Sequence, residues 1–193
     1  MKYSIFIRGR GHAFQLADSL NKKNKLNFLV TSYPKFFIKK FKVPMDKIKS
    51  VFYLEILVRV LKKINIFLKK IKLNFNTNIP AVITDWLADF IYSSFYLDNA
   101  DIFIMGFGNS NQKLIKKAKK RNIKTVYFLN NSSPLFREKV KNEYYRLGLS
   151  KDFNQEDERL TKKINQCIHD ADYVACISSF QRETYIDEGI LSR

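Results

Sequence analysis

The residues best suited to chemistry lie in a glycine-bearing turn near the start of the chain. Residues 3–7 are an apolar, β-favouring run, residues 8–12 interrupt it, and apolar residues then recur at helical spacing. Backbone N–H groups in the first turn of a helix are unpaired and partly positive, so such a turn can hold an anion. The candidate phosphate or acceptor contacts here are Arg8, Gly9, Arg10, Gly11 and His12.

Three further loops have a similar composition and also follow predicted strands. They are residues 106–110, 130–133 and 178–179, and they are rich in glycine, serine or asparagine. In an open parallel sheet, ligands bind beyond the carboxyl ends of the strands, where amides and hydroxyls can bind a sugar or a phosphate. The candidate contacts in these loops are Gly108, Asn109, Asn131, Ser132, Ser133 and Ser178.

The elements that must position these loops alternate between strand and helix along the chain. Strands are predicted at 3–7, 26–31, 48–53, 101–105, 124–129 and 173–177. Helices are predicted at 13–20, 35–41, 54–71, 80–97, 112–121, 134–148, 155–171 and 179–189. The alternation predicts an α/β fold: a Rossmann-like open, mostly parallel sheet with helices on both faces.

The charge is large and uneven. The net charge is +17, and residues 35–73 hold twelve Lys or Arg against two acids. One interpretation is an anionic partner; the other is a lysine-rich composition in which lysines simply solvate the surface. Cys167 and Cys176 lack zinc-ligand spacing and are interpreted as reduced thiols of a cytosolic protein. The chain enters a strand at once, leaving no room for a signal peptide, and lacks the ~20-residue apolar run of a membrane span.

A dinucleotide is the usual ligand of this fold, and the residues argue against it. The spacing Gly-x-Gly-x-x-Gly begins at Gly9 and Gly11 but places Phe14 at its third position. The second strand ends in Thr31-Ser32-Tyr33, with no acid to bind ribose hydroxyls. There is also no phosphate-binding P-loop, no nucleophile elbow and no acidic metal cluster in the sequence. We therefore expect no bound metal and no redox cofactor.

The helix at 54–71 is strongly amphipathic and has two interpretations. Its main apolar face consists of Leu54, Leu57, Val58, Leu61, Ile64, Leu68 and Ile71, and Ile56, Val60, Ile66 and Phe67 widen it. As a core helix it packs on the sheet. As a membrane-surface helix it offers lysines to anionic lipid while apolar side chains dip in. The candidate membrane contacts are Arg59, Lys62, Lys63, Phe67, Lys69 and Lys70.

The end of the chain carries a resemblance to a known family. Asp172-Tyr173-Val174-Ala175-Cys176-Ile177-Ser178-Ser179-Phe180, followed by Glu188-Gly189-Ile190, resembles the last strand and helix of the N-terminal domain of family 4 glycosyltransferases. These are two-domain GT-B enzymes with the pattern Ala-Asp-x-Ile-x-x-x-Ser-x-Phe. Further stretches that fit, in order, are the glycine turn with residues 12–17, residues 106–110 with 118–120, and residues 131–133 with 142–148.

The resemblance implies that residues 1–193 are the acceptor-binding, Rossmann-like half of such an enzyme. The acceptor would be a glycan or a lipid-linked molecule, and the nucleotide-sugar would bind in a C-terminal domain that this chain lacks. Transfer would need no metal, and the chain alone would have little activity. The expected location is cytoplasmic, with the inner face of the membrane as the peripheral alternative.

The resemblance leaves the catalytic residue unassigned. Relatives of this subtype often carry histidine after the paired serines, where this chain has Pro134. His12 is the candidate, because it could bind a sugar hydroxyl or the charge developing on the leaving diphosphate. Its alternative role is that of a helix-start residue with a locally bonded ring. His169, beside Asp170 on a predicted helix, is interpreted as a surface residue.

Two other functions stay open. The chain could be a non-catalytic, membrane-recruiting subunit that pairs with a separate donor-binding chain. It could instead bind nucleic acid, since a charge of +17 suits phosphate backbones. Against the second, the aromatic residues do not group as a stacking platform and no nucleic-acid motif occurs. Nucleic acid is therefore not the expected partner.

Overall fold

The computed structural model describes residues 1–9, 11–38, 41–70, 79–130, 132–149 and 158–192. The strands are β1 (Tyr3–Ile7), β2 (Leu26–Thr31), β3 (Ile48–Ser50), β4 (Ile102–Gly106), β5 (Lys124–Phe128) and β6 (Tyr173–Ala175). The helices are α1 (Ala13–Lys22), α2 (Tyr53–Lys70), α3 (Ile79–Phe95), α4 (Gln112–Lys120), α5 (Pro134–Arg146), α6 (Glu158–Asp170) and α7 (Ser179–Asp187).

The six strands form one sheet in the order β3-β2-β1-β4-β5-β6. Every described pair is parallel; in register, Ile5 of β1 lies opposite Leu29 of β2 and Ile104 of β4. The predicted Rossmann-like α/β fold is therefore confirmed. Because the strand order reverses between β1 and β4, the crevice beyond their carboxyl ends is where such a sheet places its ligands.

The sheet is buried on both faces, as an all-parallel sheet requires. Side chains alternate between the faces, so Phe6 and Phe103 point to one core and Ile5 and Ile104 to the other. The first core includes residues of α2, α3, α4, α6 and α7, while the second includes Ala13, Phe14 and Ala17 of α1. The helices thus lie on both faces, as predicted.

Two predicted elements are shorter in the structure than in the sequence analysis. The third strand ends at Ser50 instead of residue 53, because Phe52 O accepts from Glu55 N and Ile56 N and so starts α2. In place of the helix predicted at 35–41, the described residues have only a 3₁₀ turn at Lys35–Phe37. Ile38 N donates to Lys35 O at 3.0 Å, which closes the 3₁₀ turn, and the Ile38 side chain is fully buried in the second core.

Along the described helices, none combines the length and the apolar character that crossing a bilayer requires.

Candidate functional site

The four loops predicted to bind ligand follow the carboxyl ends of β1, β4, β5 and β6, which are neighbours in the sheet. They therefore share one edge, as expected. Arg10 and Asn131 lie outside the described residues. The other predicted contacts can be placed, and their hydrogen bonds differ greatly from loop to loop.

The turn after β1 is tied to the neighbouring strand. Gly9 N donates to Ser32 Oγ at 2.7 Å, and Thr31 Oγ1 donates to Gly9 O at 2.7 Å. Gly9 has φ +81°, and a β-carbon built there would meet nothing within 4 Å. The positive φ therefore explains why glycine occupies this position, since a larger side chain would have room. Thr31 is the last residue of β2 and Ser32 follows it, at the position where a dinucleotide-binding site would carry an acid.

α1 begins at this turn without a side-chain cap. His12 occupies the N-cap position, is exposed, and makes no capping hydrogen bond; the first turn contains no acid. Arg8, just before the turn, is half-buried, and its Nη1 donates to Thr84 Oγ1 of α3 at 3.0 Å. The partly positive start of α1 therefore follows the Arg8 guanidinium in sequence and has no acid in its first turn, while the carboxylate that acts on Arg8 is Asp85 of α3.

The turn after β4 is crowded and strained. Gly106, Phe107 and Gly108 all have positive φ, at +102°, +52° and +84°. A β-carbon at Gly106 would lie 2.6 Å from Phe128 O, so only glycine fits beside β5. The Asn109 side chain, a predicted ligand contact, is buried and donates to Gly106 O at 2.9 Å. Asn109 therefore supports the turn itself.

Two buried carboxylates of α3 occupy the start of α4. Asp85 Oδ1 accepts from Ser110 N at 3.0 Å, and Asp89 accepts from Lys113 N at 2.8 Å and Leu114 N at 3.1 Å. These are backbone donors of the loop and first turn that could otherwise bind a phosphate. Their negative charge at the partly positive end of α4 leaves it a poor anion site.

Burial makes both carboxylates harder to ionise. It raises the pKa of Asp89 to about 6, against the opposing hydrogen bonds from Lys113 N and Leu114 N. Burial also raises the pKa of Asp85, and the Arg8 guanidinium partly opposes that change. Asp85 Oδ2 is buried and has no hydrogen-bond partner among the described residues. Two acids in a largely apolar helix, spaced i and i+4, were the sequence signal for this pair, and our sequence analysis missed it.

The loops after β5 and β6 are also satisfied from within. Ser133 is fully buried, and its Oγ caps α5 by accepting from Phe136 N at 3.4 Å. Glu188 Oε1 accepts from Leu135 N at 2.7 Å and from Phe136 N. Ser178 caps α7 in the same manner, through Gln181 N at 3.1 Å. The hydroxyls of these two predicted contacts therefore serve helix starts, while Ser132 is half-buried beside them.

Arg137 is a second residue that our sequence analysis missed. With Gly108, Asn130 and Tyr185 it lines a cavity of about 20 Å³ beyond β5, which is room for about one water. Burial lowers the pKa of the guanidinium, while Tyr185 and Glu188 favour its charged form. A cation in the first turns of α5 is disfavoured by the helix dipole. The unfavourable position of a basic residue near the predicted start of this helix could have identified Arg137 from the sequence.

The acid in the motif that carries the family resemblance has a structural role. Asp172 Oδ2 accepts from Thr125 N at 2.9 Å and from Thr125 Oγ1 at 2.8 Å, and Asp172 Oδ1 accepts from Lys124 Nζ at 3.0 Å. These bonds join the starts of β5 and β6, at the edge opposite the crevice. The motif thus aligns the last strand of the sheet.

The predicted membrane residues lie on α2. Arg59 and Lys63 are exposed, and Phe67 is 63% exposed. Lys62, Lys69 and Lys70 belong to the same helix, with side chains outside what the structure describes. Ile64, assigned by its spacing to the packing face, is 47% exposed, because α2 turns its Leu54 side to the core.

Within the described part of the chain, no cluster of three or more His, Cys, Asp and Glu side chains could hold a metal ion. Compared with known proteins, the chain matches no family model, no curated protein and no solved structure.

Proposed function

We propose that this chain is the acceptor-binding domain of a glycosyltransferase that moves a sugar from a nucleotide-sugar to a glycan or lipid-linked acceptor. The observation that carries the proposal is the uneven electrostatics of the crevice. The start of α1 is basic and uncapped, whereas backbone N–H groups at the starts of α4 and α5 donate to the carboxylates of Asp85, Asp89 and Glu188. Such an edge suits a ligand with one anionic group among neutral polar groups. A diphosphate that lies beside an acceptor rich in hydroxyl groups is a ligand of this kind.

In this proposal the turn after β1 acts on the reacting groups. Arg8 and the backbone of residues 11–13 stabilise the negative charge that develops on the leaving diphosphate. His12, exposed at the rim, binds or deprotonates the acceptor hydroxyl. The nucleotide-sugar itself binds to a donor-binding domain or partner chain, so the present domain alone transfers little sugar. We place the enzyme in the cytoplasm, at the inner face of the membrane.

Transfer from a panel of nucleotide-sugars by the natural gene product that carries this chain tests the proposal. His12→Ala should lower kcat/KM by about tenfold to a hundredfold, because a positioned acid or base contributes in this range or above it. His169→Ala is the matched control, since that histidine is exposed on α6, and it should leave transfer unchanged. Absence of transfer from every donor would contradict the proposal, and unchanged rates in His12→Ala would remove His12 from it.

A second candidate function is a non-catalytic subunit that recruits a donor-binding chain to membranes. The exposed apolar side chains of α2 favour it. The same assay separates the two functions: a recruiting subunit would transfer no sugar by itself, and it would raise the transfer rate of a donor-binding partner only in the presence of vesicles.

A further inference from the structure

Five apolar side chains of α2 stand exposed in one row. They recur at steps of three or four residues, which places them on a single stripe along the helix. Tyr53 is 50% exposed, Ile56 53%, Val60 47%, Ile64 47% and Phe67 63%. Single exposed apolar residues are ordinary on protein surfaces, whereas a continuous row marks an interaction surface.

α3 packs beside α2 and carries three further exposed aromatic or aliphatic side chains. Ile83, Trp86 and Phe90 are 40–48% exposed, at the same helical spacing. The Trp86 and Phe90 rings stack with centroids 5.9 Å apart, and Lys113 Nζ lies 4.5 Å from the Trp86 ring. We call the five α2 and three α3 side chains the apolar ridge. The other side of α3, including Ala88 and Tyr92, is buried in the core.

The ridge is flanked by positive charge. Arg59 and Lys63 are exposed on α2, and Lys113 lies over the α3 aromatics. The one acid in the first turn of α2, Glu55, is mostly covered and pairs with Arg59 at 3.5 Å. A surface with apolar side chains and a basic border matches an anionic lipid bilayer, into which the apolar groups insert while the cations bind headgroups.

Other occupants fit less well. A second copy of the chain would bring another net charge of +17 against this basic surface. A phosphate backbone would leave the aliphatic side chains Ile56, Val60 and Ile64 without an apolar partner.

We propose that the apolar ridge of α2 and α3 docks this domain on an anionic lipid surface. The ridge adjoins the crevice, because Thr84 and Asp85 of α3 hold Arg8 and Ser110 while Ile83 and Trp86 face outward. Docking would therefore bring the crevice close to the bilayer surface. If the proposed function also holds, this position gives the crevice direct access to a lipid-linked acceptor; the docking itself does not depend on it.

Trp86 is the only tryptophan of the chain, so its fluorescence reports on the ridge directly. Vesicles of phosphatidylcholine containing phosphatidylglycerol should shift its emission to shorter wavelength and carry the purified chain upward in flotation. Vesicles of phosphatidylcholine alone should do neither, and high salt should weaken binding. Absence of flotation with the anionic vesicles, or flotation with unchanged Trp86 emission, would overturn the proposal.

Variants identify the contacts. Phe67→Ser and Ile64→Ser should each weaken vesicle binding by about tenfold, through the apolar area they withdraw from the bilayer. Tyr145→Ser is the matched control, since Tyr145 is 53% exposed, lies on α5 and also has a lysine near its ring, Lys141 at 5.7 Å. Equal losses in the control and the ridge variants would overturn the proposal, provided that circular dichroism shows all three to be folded.

Charge reversal tests the basic border. Lys63→Glu should weaken binding several-fold, since a basic residue near an anionic surface contributes about 1 kcal/mol, whereas Lys162→Glu, an exposed lysine on α6, should have a smaller effect. Stronger binding to single-stranded RNA than to vesicles at the same salt would overturn the lipid assignment. So would a dimer that Phe67→Ser converts to a monomer.

Discussion

The turn after β1 and the turn after β4 flank the same crevice, and each contains two glycines with one residue between them. In the first, α1 starts without a side-chain cap and with Arg8 beside it. In the second, Asp85 and Asp89 accept hydrogen bonds from the backbone at the start of α4. Two turns of similar composition therefore have opposite electrostatic character.

The difference shows that a glycine turn is not by itself an anion site. A helix start binds an anion only if its N–H groups are free to donate to the ligand. At the start of α4 these groups already donate to carboxylates of α3. This arrangement buries two carboxylates of α3, Asp85 and Asp89, and burial disfavours their charged form, as their raised pKa shows. The first turn of α1 contains no acid, so its own N–H groups are not covered by a carboxylate of that helix, and the acid that acts on Arg8 is Asp85 of α3.

The largest expected effect separates the two turns by their glycines. Gly106→Ala should lower the free energy of unfolding by about 3 kcal/mol or more, because its β-carbon would collide with Phe128 O at a backbone position with φ +102°. Gly9→Ala meets open space and should cost only the positive φ, about 1–2 kcal/mol. Urea unfolding of both variants measures the difference. Equal losses would show that crowding at Gly106 is relieved by movement of β5.

The second effect concerns pH at the start of α4. The pKa of Asp89 rises from its ordinary 3.8 to about 6 in the folded state, so the native protein holds this proton more tightly than the unfolded chain. The stability contributed by that proton is present below the ordinary value and is lost as pH rises through about 6, a change of about 2–3 kcal/mol.

Asp89→Asn should remove this part of the pH dependence. The quantity to measure is the difference in unfolding free energy between parent and variant across that pH range, since other titrating groups then cancel. A carboxyl-carbon NMR titration of Asp89 gives the midpoint independently. A difference that stays constant with pH would contradict the raised pKa.

The smallest effect adds an acid to the turn that lacks one. His12→Asp should stabilise the protein by about 0.3–1 kcal/mol, because a carboxylate favours the positive end of α1. His12→Asn is the neutral control, and the gain of the aspartate over it should shrink in high salt. If thermal unfolding shows no gain, the start of α1 is already neutralised, and the contrast between the two turns is smaller than we describe.

Much of the fold followed from local patterns. Runs such as residues 26–31 and 124–129 predicted β2 and β5 to within a residue, and Pro134 marked the start of α5. The alternation of strand and helix also predicted the shared carboxyl edge, because parallel strands need crossovers and so end together. Errors came where short runs carry few repeats of a pattern, as at residues 35–41.

The candidate site was less predictable, because its character depends on residues distant in sequence. Composition selected Asn109, Ser133 and Ser178 as ligand contacts, yet their polar atoms bond to their own turn or cap helices. The same small polar residues serve turns, caps and ligands. Arg137 and the pair on α3 were overlooked because their importance comes from burial.

The sequence by itself determined the strands, the helices and the edge on which the loops meet, since these follow from hydrophobic period and chain direction. Only the tertiary structure decided that α3 fills the start of α4 with carboxylates, and that α2 leaves Ile64 and Phe67 facing outward. Because apolar residues extend beyond the main apolar face of α2, more than one side of this helix can pack. Which side is buried depends on the neighbours that the whole fold places against it.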